Sequence, residues 1–156
     1  MILKIIYLDT RLRKWTVVTH FPEFIEEAPR AYHAVVYDSG WLYLIGGFDG
    51  QHYYDKVRKY HFETRKWVDC SRMYEKRCYV SASFLGGKIY ACGGLDGHSR
   101  LNTAEEYDIA SNSWNQARVV KIAYPGYIKI LNINISWWKF QNFELKTSKI
   151  LIFSKI

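Results

Sequence analysis

Apolar residues in this chain come in short runs rather than at helical spacing. Lys88–Cys92 is a nearly continuous apolar stretch closed by Gly93-Gly94. A run of that length with little alternation predicts a strand covered on both faces. Cys78–Phe84 mixes β-branched, aromatic and small residues ahead of a Leu85-Gly86-Gly87 turn. Ala104–Ile109 and Ser113–Ala117 flank a second turn at Ser111-Asn112. Together they predict four short antiparallel strands. The same order stands earlier, at Ala31–Tyr37, Trp41–Ile45, Lys56–Phe62 and Lys66–Cys70. Tyr60 and Trp67 lie seven apart around Glu63-Thr64-Arg65, as Tyr107 and Trp114 do around their own turn. Each pair is expected to face across a hairpin as blade packing.

The two sets are one pattern repeated at a fixed interval. Arg30, Tyr32, Gly40, Tyr43, Gly46, Gly47, Asp49, Gly50, Tyr60 and Trp67 recur 47 residues later as Arg77, Tyr79, Gly87, Tyr90, Gly93, Gly94, Asp96, Gly97, Tyr107 and Trp114. A period in the range of about 40–50 residues with Gly-Gly and a later Tyr…Trp predicts a propeller blade. The expected fold is all-β, a partial β-propeller of two full four-stranded antiparallel blades, half a blade and an irregular C-terminal tail. Ile2–Leu8 and Lys14–Thr19 supply the half blade, with Leu8 where the aromatic should be. The boundaries are 1–22 for the half blade, 23–72 and 73–118 for the repeats, and 119–156 for an atypical tail.

The tail departs in composition. Ile, Lys, Asn, Phe and Tyr make up 22 of residues 121–156, and these share A/T-rich codons. The reading is that the frame leaves its coding exon near Val119 and runs on through non-native sequence. The alternative is a divergent tail; Ile133, Ile135 and Trp137 alternate with polar residues as a strand would.

Net charge is +7, which invites a nucleic-acid reading. Its distribution removes that reading. Residues 1–118 hold 16 basic and 14 acidic side chains, whereas 119–156 hold six Lys against Glu144 alone. The repeats lack the basic stripe that phosphate binding needs. The apolar start is too short for a signal peptide, and no run approaches a membrane span. No nucleic acid or membrane partner is expected. Cys70, Cys78 and Cys92 show no paired spacing. Free, buried thiols fit a reducing compartment, so a cytoplasmic location is expected.

No residues group as chemistry would need. Gly46-Gly47 and Gly93-Gly94 lack the spacing of a phosphate loop and read as backbone features. Asp49 and Asp96 precede Gly in loops and read as turn formers. The five His have no metal-ligand spacing. The chain is expected not to be an enzyme, with no catalytic residues, metal or cofactor.

Arg30…Gly46-Gly47-Phe48-Asp49-Gly50…Tyr60…Trp67 and its copy Arg77…Trp114 resemble kelch repeats of the kelch-like (BTB-kelch) family, over about residues 2–118. The resemblance implies a propeller that holds the substrate of an adaptor for a cullin-3 ubiquitin ligase. It implies upstream BTB and BACK domains, which this chain is expected to lack, so cullin-3 would be reached only through them. An actin-binding cytoskeletal kelch protein is the alternative. A protein or peptide substrate is the implied partner. Family positions lining the pocket correspond to Phe48, Tyr53, Leu95 and Arg100; His52 and His98 are candidate contacts because both sit in the loop after Gly-Gly. Arg30 and Arg77 carry two readings: facing an acidic substrate through a forked guanidinium, or satisfying loop carbonyls inside the blade. Gly46, Gly47, Tyr60, Trp67, Gly93, Gly94, Tyr107 and Trp114 are the structural motif.

Overall fold

A computed structural model describes residues 30–117 throughout. Beyond them it describes the turn at Arg13 and six strand backbones. Every described element is a strand.

The first repeat forms β3 (Ala34–Asp38), β4 (Trp41–Ile45), β5 (Val57–His61) and β6 (Lys66–Asp69). The second forms β7 (Ser81–Leu85), β8 (Lys88–Cys92), β9 (Ala104–Asp108) and β10 (Ser113–Gln116). Each set is a four-stranded antiparallel meander in chain order. This is the four-stranded blade expected of each repeat.

The hairpins follow from turn chemistry. Ser39-Gly40 and Gly86-Gly87 both take positive φ at both positions. That is the two-residue turn whose twist matches the flanking strands. Tyr60 stands opposite Trp67 and Tyr107 opposite Trp114, with ring centroids 5.0 Å apart in each pair.

The core lies between the two blades. Ala34, Val36, Tyr43, Ile45 and Val57 of the first meet Ala82, Ile89, Ala91, Tyr107 and Trp114 of the second, with Met73 from the connection. Tyr43 and Tyr107 cross edge to face at 6.3 Å. In β8, Ile89, Tyr90, Ala91 and Cys92 are all buried, as a two-faced strand requires. Cys78 and Cys92 are buried, and burial pushes the Cys92 thiol up to about 12. Trp114 Nε1 donates to the Ser71 carbonyl at 2.9 Å and fastens the outer strand of one blade to the exit of the other.

The first strands begin three residues later than the sequence pattern predicts. Tyr32 and Tyr79 sit at φ 58° and 52°, and a left-handed residue interrupts a strand. Ala31 and Cys78 instead bridge to Phe48 and Leu95.

Toward the ends, β1 (Lys4–Asp9) pairs antiparallel with β2 (Lys14–His20), two adjacent strands as a half blade requires. The stretch expected to be irregular carries strands instead: β11 (Val119–Lys121), β12 (Tyr127–Ile130) and β13 (Ile133–Ser136) form a meander. β14 (Ser148–Phe153) pairs with the free edge of β1, Lys4 opposite Phe153. The β-branched Ile residues spaced along these segments account for their extended backbone. Residues 21–29, in the connection expected from His20 to Pro29, and Trp137 lie outside the described residues.

Candidate functional site

Two loops leave the blades at the Gly-Gly positions and return to the third strands. The first runs through Phe48–Tyr54 and the second through Leu95–Leu101, in the same conformation. Asp49 Oδ1 accepts the Gln51 and His52 amides at 2.8 and 2.6 Å; Asp96 Oδ1 accepts those of His98 and Ser99 at 2.7 and 2.8 Å. Each carboxylate closes its own loop. Burial would raise the Asp49 pKa, but hydrogen bonds from Tyr54, His52 and Gln51 outweigh it and hold the group well below the usual carboxylate range.

The double glycines admit close backbone approach, Gly46 to the lead-in of the next blade and Gly94 to that of its own. A Cβ on Gly46 would stand 2.2 Å from the Arg77 carbonyl oxygen, and one on Gly94 would stand 2.6 Å from that of Cys78. Gly47 N–H donates to that Arg77 oxygen at 2.8 Å. Backbone approach, rather than phosphate binding, accounts for the motif.

Arg77 has 0% exposure. Nη1 donates to the carbonyls of Gly93 (2.7 Å) and Thr103 (3.2 Å). Nε and Nη2 both reach Glu105 Oε1 at 3.1 Å. Nη2 also reaches Glu75 Oε2 (2.5 Å) and Thr103 Oγ1 (2.9 Å). Glu105, buried as well, further accepts the Tyr74 and Glu75 amides. The guanidinium is engaged inside the blade, where its role is structural. Its surface-facing reading is thereby corrected: a side chain with no exposed surface offers nothing to a ligand.

Arg30 takes a different setting. Forty-seven residues before Glu105, Thr103 and Glu75 stand Arg58, Lys56 and Ala28, so the acidic cage is not repeated. The Arg30 guanidinium instead lies 3.8 Å above the Tyr54 ring. Tyr54 in turn donates to Asp49 Oδ2 at 2.5 Å. Burial, with Arg58 nearby, lowers Arg30 to about 10, and it stays charged at neutral pH.

The other expected residues lie on these two adjacent loops. Phe48 and Tyr53 stack at 4.5 Å. The Tyr53 ring crosses to the second loop and lies against Gly97, whose absent Cβ would be 2.8 Å from it. Leu95 and Arg100 bridge within that loop. His52, His98 and Arg100 are exposed.

Sequence reasoning missed two residues here, Tyr32 and Tyr79. They are 40% and 55% exposed, large aromatics open to solvent. Their rings stack at 4.2 Å across the blade boundary, and Tyr79 N–H donates to the Tyr32 carbonyl at 2.9 Å. A hydrogen bond with Tyr32 raises the Tyr79 pKa, with Tyr53 contributing. Both tyrosines stood among the recurring positions; the signal was their recurrence, masked by a strand assignment. Aromatics held in place and left exposed are typical contact anchors.

Among the described residues no three His, Cys, Asp or Glu side chains come together as a metal site, and no helix is long and apolar enough to cross a membrane.

Residues 2–127 match the family described as KLHDC2/KLHL20/DRC7 Kelch-repeats domain. A Caenorhabditis elegans protein, "Kelch repeat and BTB domain-containing protein F47D12.7", is 33% identical over 80 residues, 51% of this chain and 14% of that protein. "Kelch repeat-containing protein kel-10" from the same organism is 33% identical over 75 residues, 48% of this chain and 13% of its own length. The chain thus spans about a seventh of the length of the curated relatives it matches. Repeats of this kind form a protein-interaction module. With its blades, its Gly-Gly approaches and its matching profile in agreement, the chain belongs to the kelch-repeat family.

Proposed function

We propose that these repeats recognise the protein substrate of an adaptor for a cullin-3 ubiquitin ligase. In this reading the contact surface is the loop face: Tyr32, Phe48, His52, Tyr53, Tyr79, Leu95, His98 and Arg100, together with Arg30 over the Tyr54 ring. The observation that carries it is the exposed Tyr32–Tyr79 stack spanning two blades beside the Phe48–Tyr53 pair. A BTB domain in the name of one relative supports the adaptor reading. Three free thiols agree with work in the cytoplasm. An interaction surface has no need of catalytic groups, and the carboxylates of these loops are engaged by backbone amides.

The test is affinity purification of the longest natural protein carrying these repeats, wild type and Tyr79→Asn. The expected result is cullin-3 with both, and a partner protein with wild type only. Cosedimentation with actin filaments, without cullin-3, would replace the adaptor reading by a cytoskeletal one.

A further inference from the structure

We propose that residues 148–153, from the stretch that carries no repeat motif, complete the N-terminal half blade as its second strand and tie the two ends of the chain into one sheet. Register assigns each strand of that sheet a blade position. In both full blades a tyrosine on the third strand stands opposite a tryptophan on the fourth, Tyr60 with Trp67 and Tyr107 with Trp114. Leu8 of β1 stands opposite Trp15 of β2 in the same way. β1 is thus the third strand of its unit and β2 the fourth. On its other side a third strand pairs with the second strand, again in a fixed register. Tyr60 faces Leu42 and Tyr107 faces Ile89; three residues earlier, Val57 faces Ile45 and Ala104 faces Cys92. On β1, Leu8 faces Lys149 and Ile5 faces Ile152, in the same antiparallel sense. The order β14-β1-β2 is therefore second, third and fourth strand, as β4-β5-β6 and β8-β9-β10 are.

The residue types agree with that position. Ile150–Phe153 is a continuous apolar run, the pattern of the second strands β4 and β8. One position differs. Phe153 faces Lys4, where the full blades have Gly46 bonded to the Lys56 carbonyl and Gly93 bonded to that of Thr103. Gly46 is held to glycine by the approach of the Arg77 carbonyl. The tail thus supplies the strand without the glycine seat, which is why no repeat motif marks it. The closure has two physical consequences. It satisfies a row of β1 amides and carbonyls that would otherwise form an open edge, the kind that invites pairing with other chains. It also joins the ends of the chain, so that neither frays without breaking the pairing of the other. What the loop face binds is independent of it.

The experiment places cysteine pairs in the full chain. Two pairs are in register, Ile5→Cys with Ile152→Cys and Ile6→Cys with Leu151→Cys; neighbouring pairs in a ladder alternate in geometry, so one of them suits a disulfide. A third, Ile6→Cys with Lys149→Cys, is two residues out of register and serves as control. After mild oxidation, peptide mass spectrometry maps the links and separates them from any that involve Cys70, Cys78 or Cys92. The expected result is that at least one in-register pair closes within single molecules, about tenfold or more faster than the control. Closure no faster than the control, or links formed only between two molecules, overturns the proposal. Hydrogen exchange gives a second readout. Removal of residues 148–156 is expected to speed exchange of the Lys4–Asp9 amides about tenfold or more, with Lys88–Cys92 unchanged. Unchanged exchange in Lys4–Asp9 overturns the proposal as well. Should the shortened chain not fold, the cysteine pairs decide by themselves.

Discussion

Arg77 carries a full charge with no exposed surface, and six hydrogen bonds to four residues account for it. A buried charge is tolerable only while its partners stay. Glu105→Ala removes the carboxylate that binds Arg77 and two backbone amides, and is expected to cost about 3–5 kcal/mol by chemical denaturation. Arg77→Lys keeps the charge but loses the fork, and should itself be strongly destabilising in the same assay. His33 gives a pH-dependent expectation. Burial lowers its pKa to about 4, from an ordinary value near 6.5. Between those values the unfolded chain binds a proton that the folded chain refuses. Stability should therefore fall as pH drops through 6.5 and level off, for this group, below about 4. His33→Gln is expected to flatten that limb of a stability-against-pH curve. Neither feature was legible beforehand. The sequence pattern marked Arg77 as recurrent, but burial depends on Glu75, Thr103 and Glu105, which have no counterparts around Arg30. A repeat can conserve a residue while changing its surroundings.

Among elements, the hairpins were the most legible part. Turn glycines, short apolar runs and the Tyr…Trp spacing each point locally to the same antiparallel pairing, and β4, β8 and the two aromatic pairs follow it. The first strands were less so, because a left-handed Tyr32 or Tyr79 carries no compositional mark; those tyrosines look like good strand formers. That is also why the loop face was only half seen. Phe48, Tyr53, Leu95 and Arg100 belong to loops that sequence reveals, whereas the tyrosines beside them stand in segments that read as strand. The Gly-Gly element offers a sharp check. Gly46→Ala places a methyl 2.2 Å from the Arg77 carbonyl at a φ of +68°. It should destabilise the chain by about 3 kcal/mol or more. Gly86→Ala, where a Cβ meets nothing within 4 Å, should lose only what its φ of +58° imposes, about 1–2 kcal/mol. Thermal melts of the two variants side by side separate close approach from backbone strain.

At the scale of the molecule, the blades are joined by shared core and by backbone bonds, and the face that both loops share is where function is proposed. Tyr79 N–H to Tyr32 O and Gly47 N–H to Arg77 O cross the boundary close to that face, so the blades should present their loops as one surface. The opposite ends of the chain meet as well, with β14 on the edge of β1. The most direct test of the loop-face assignment uses a photoreactive amino acid placed singly at position 79, 53 or 68 in the longest natural protein carrying these repeats. Positions 79 and 53 lie on the loop face, and Val68 is 41% exposed on the outer strand β6. After irradiation in cells, positions 79 and 53 are predicted to yield the same partner adduct and position 68 none. Adducts from position 68 alone, or equally from all three, would contradict the assignment.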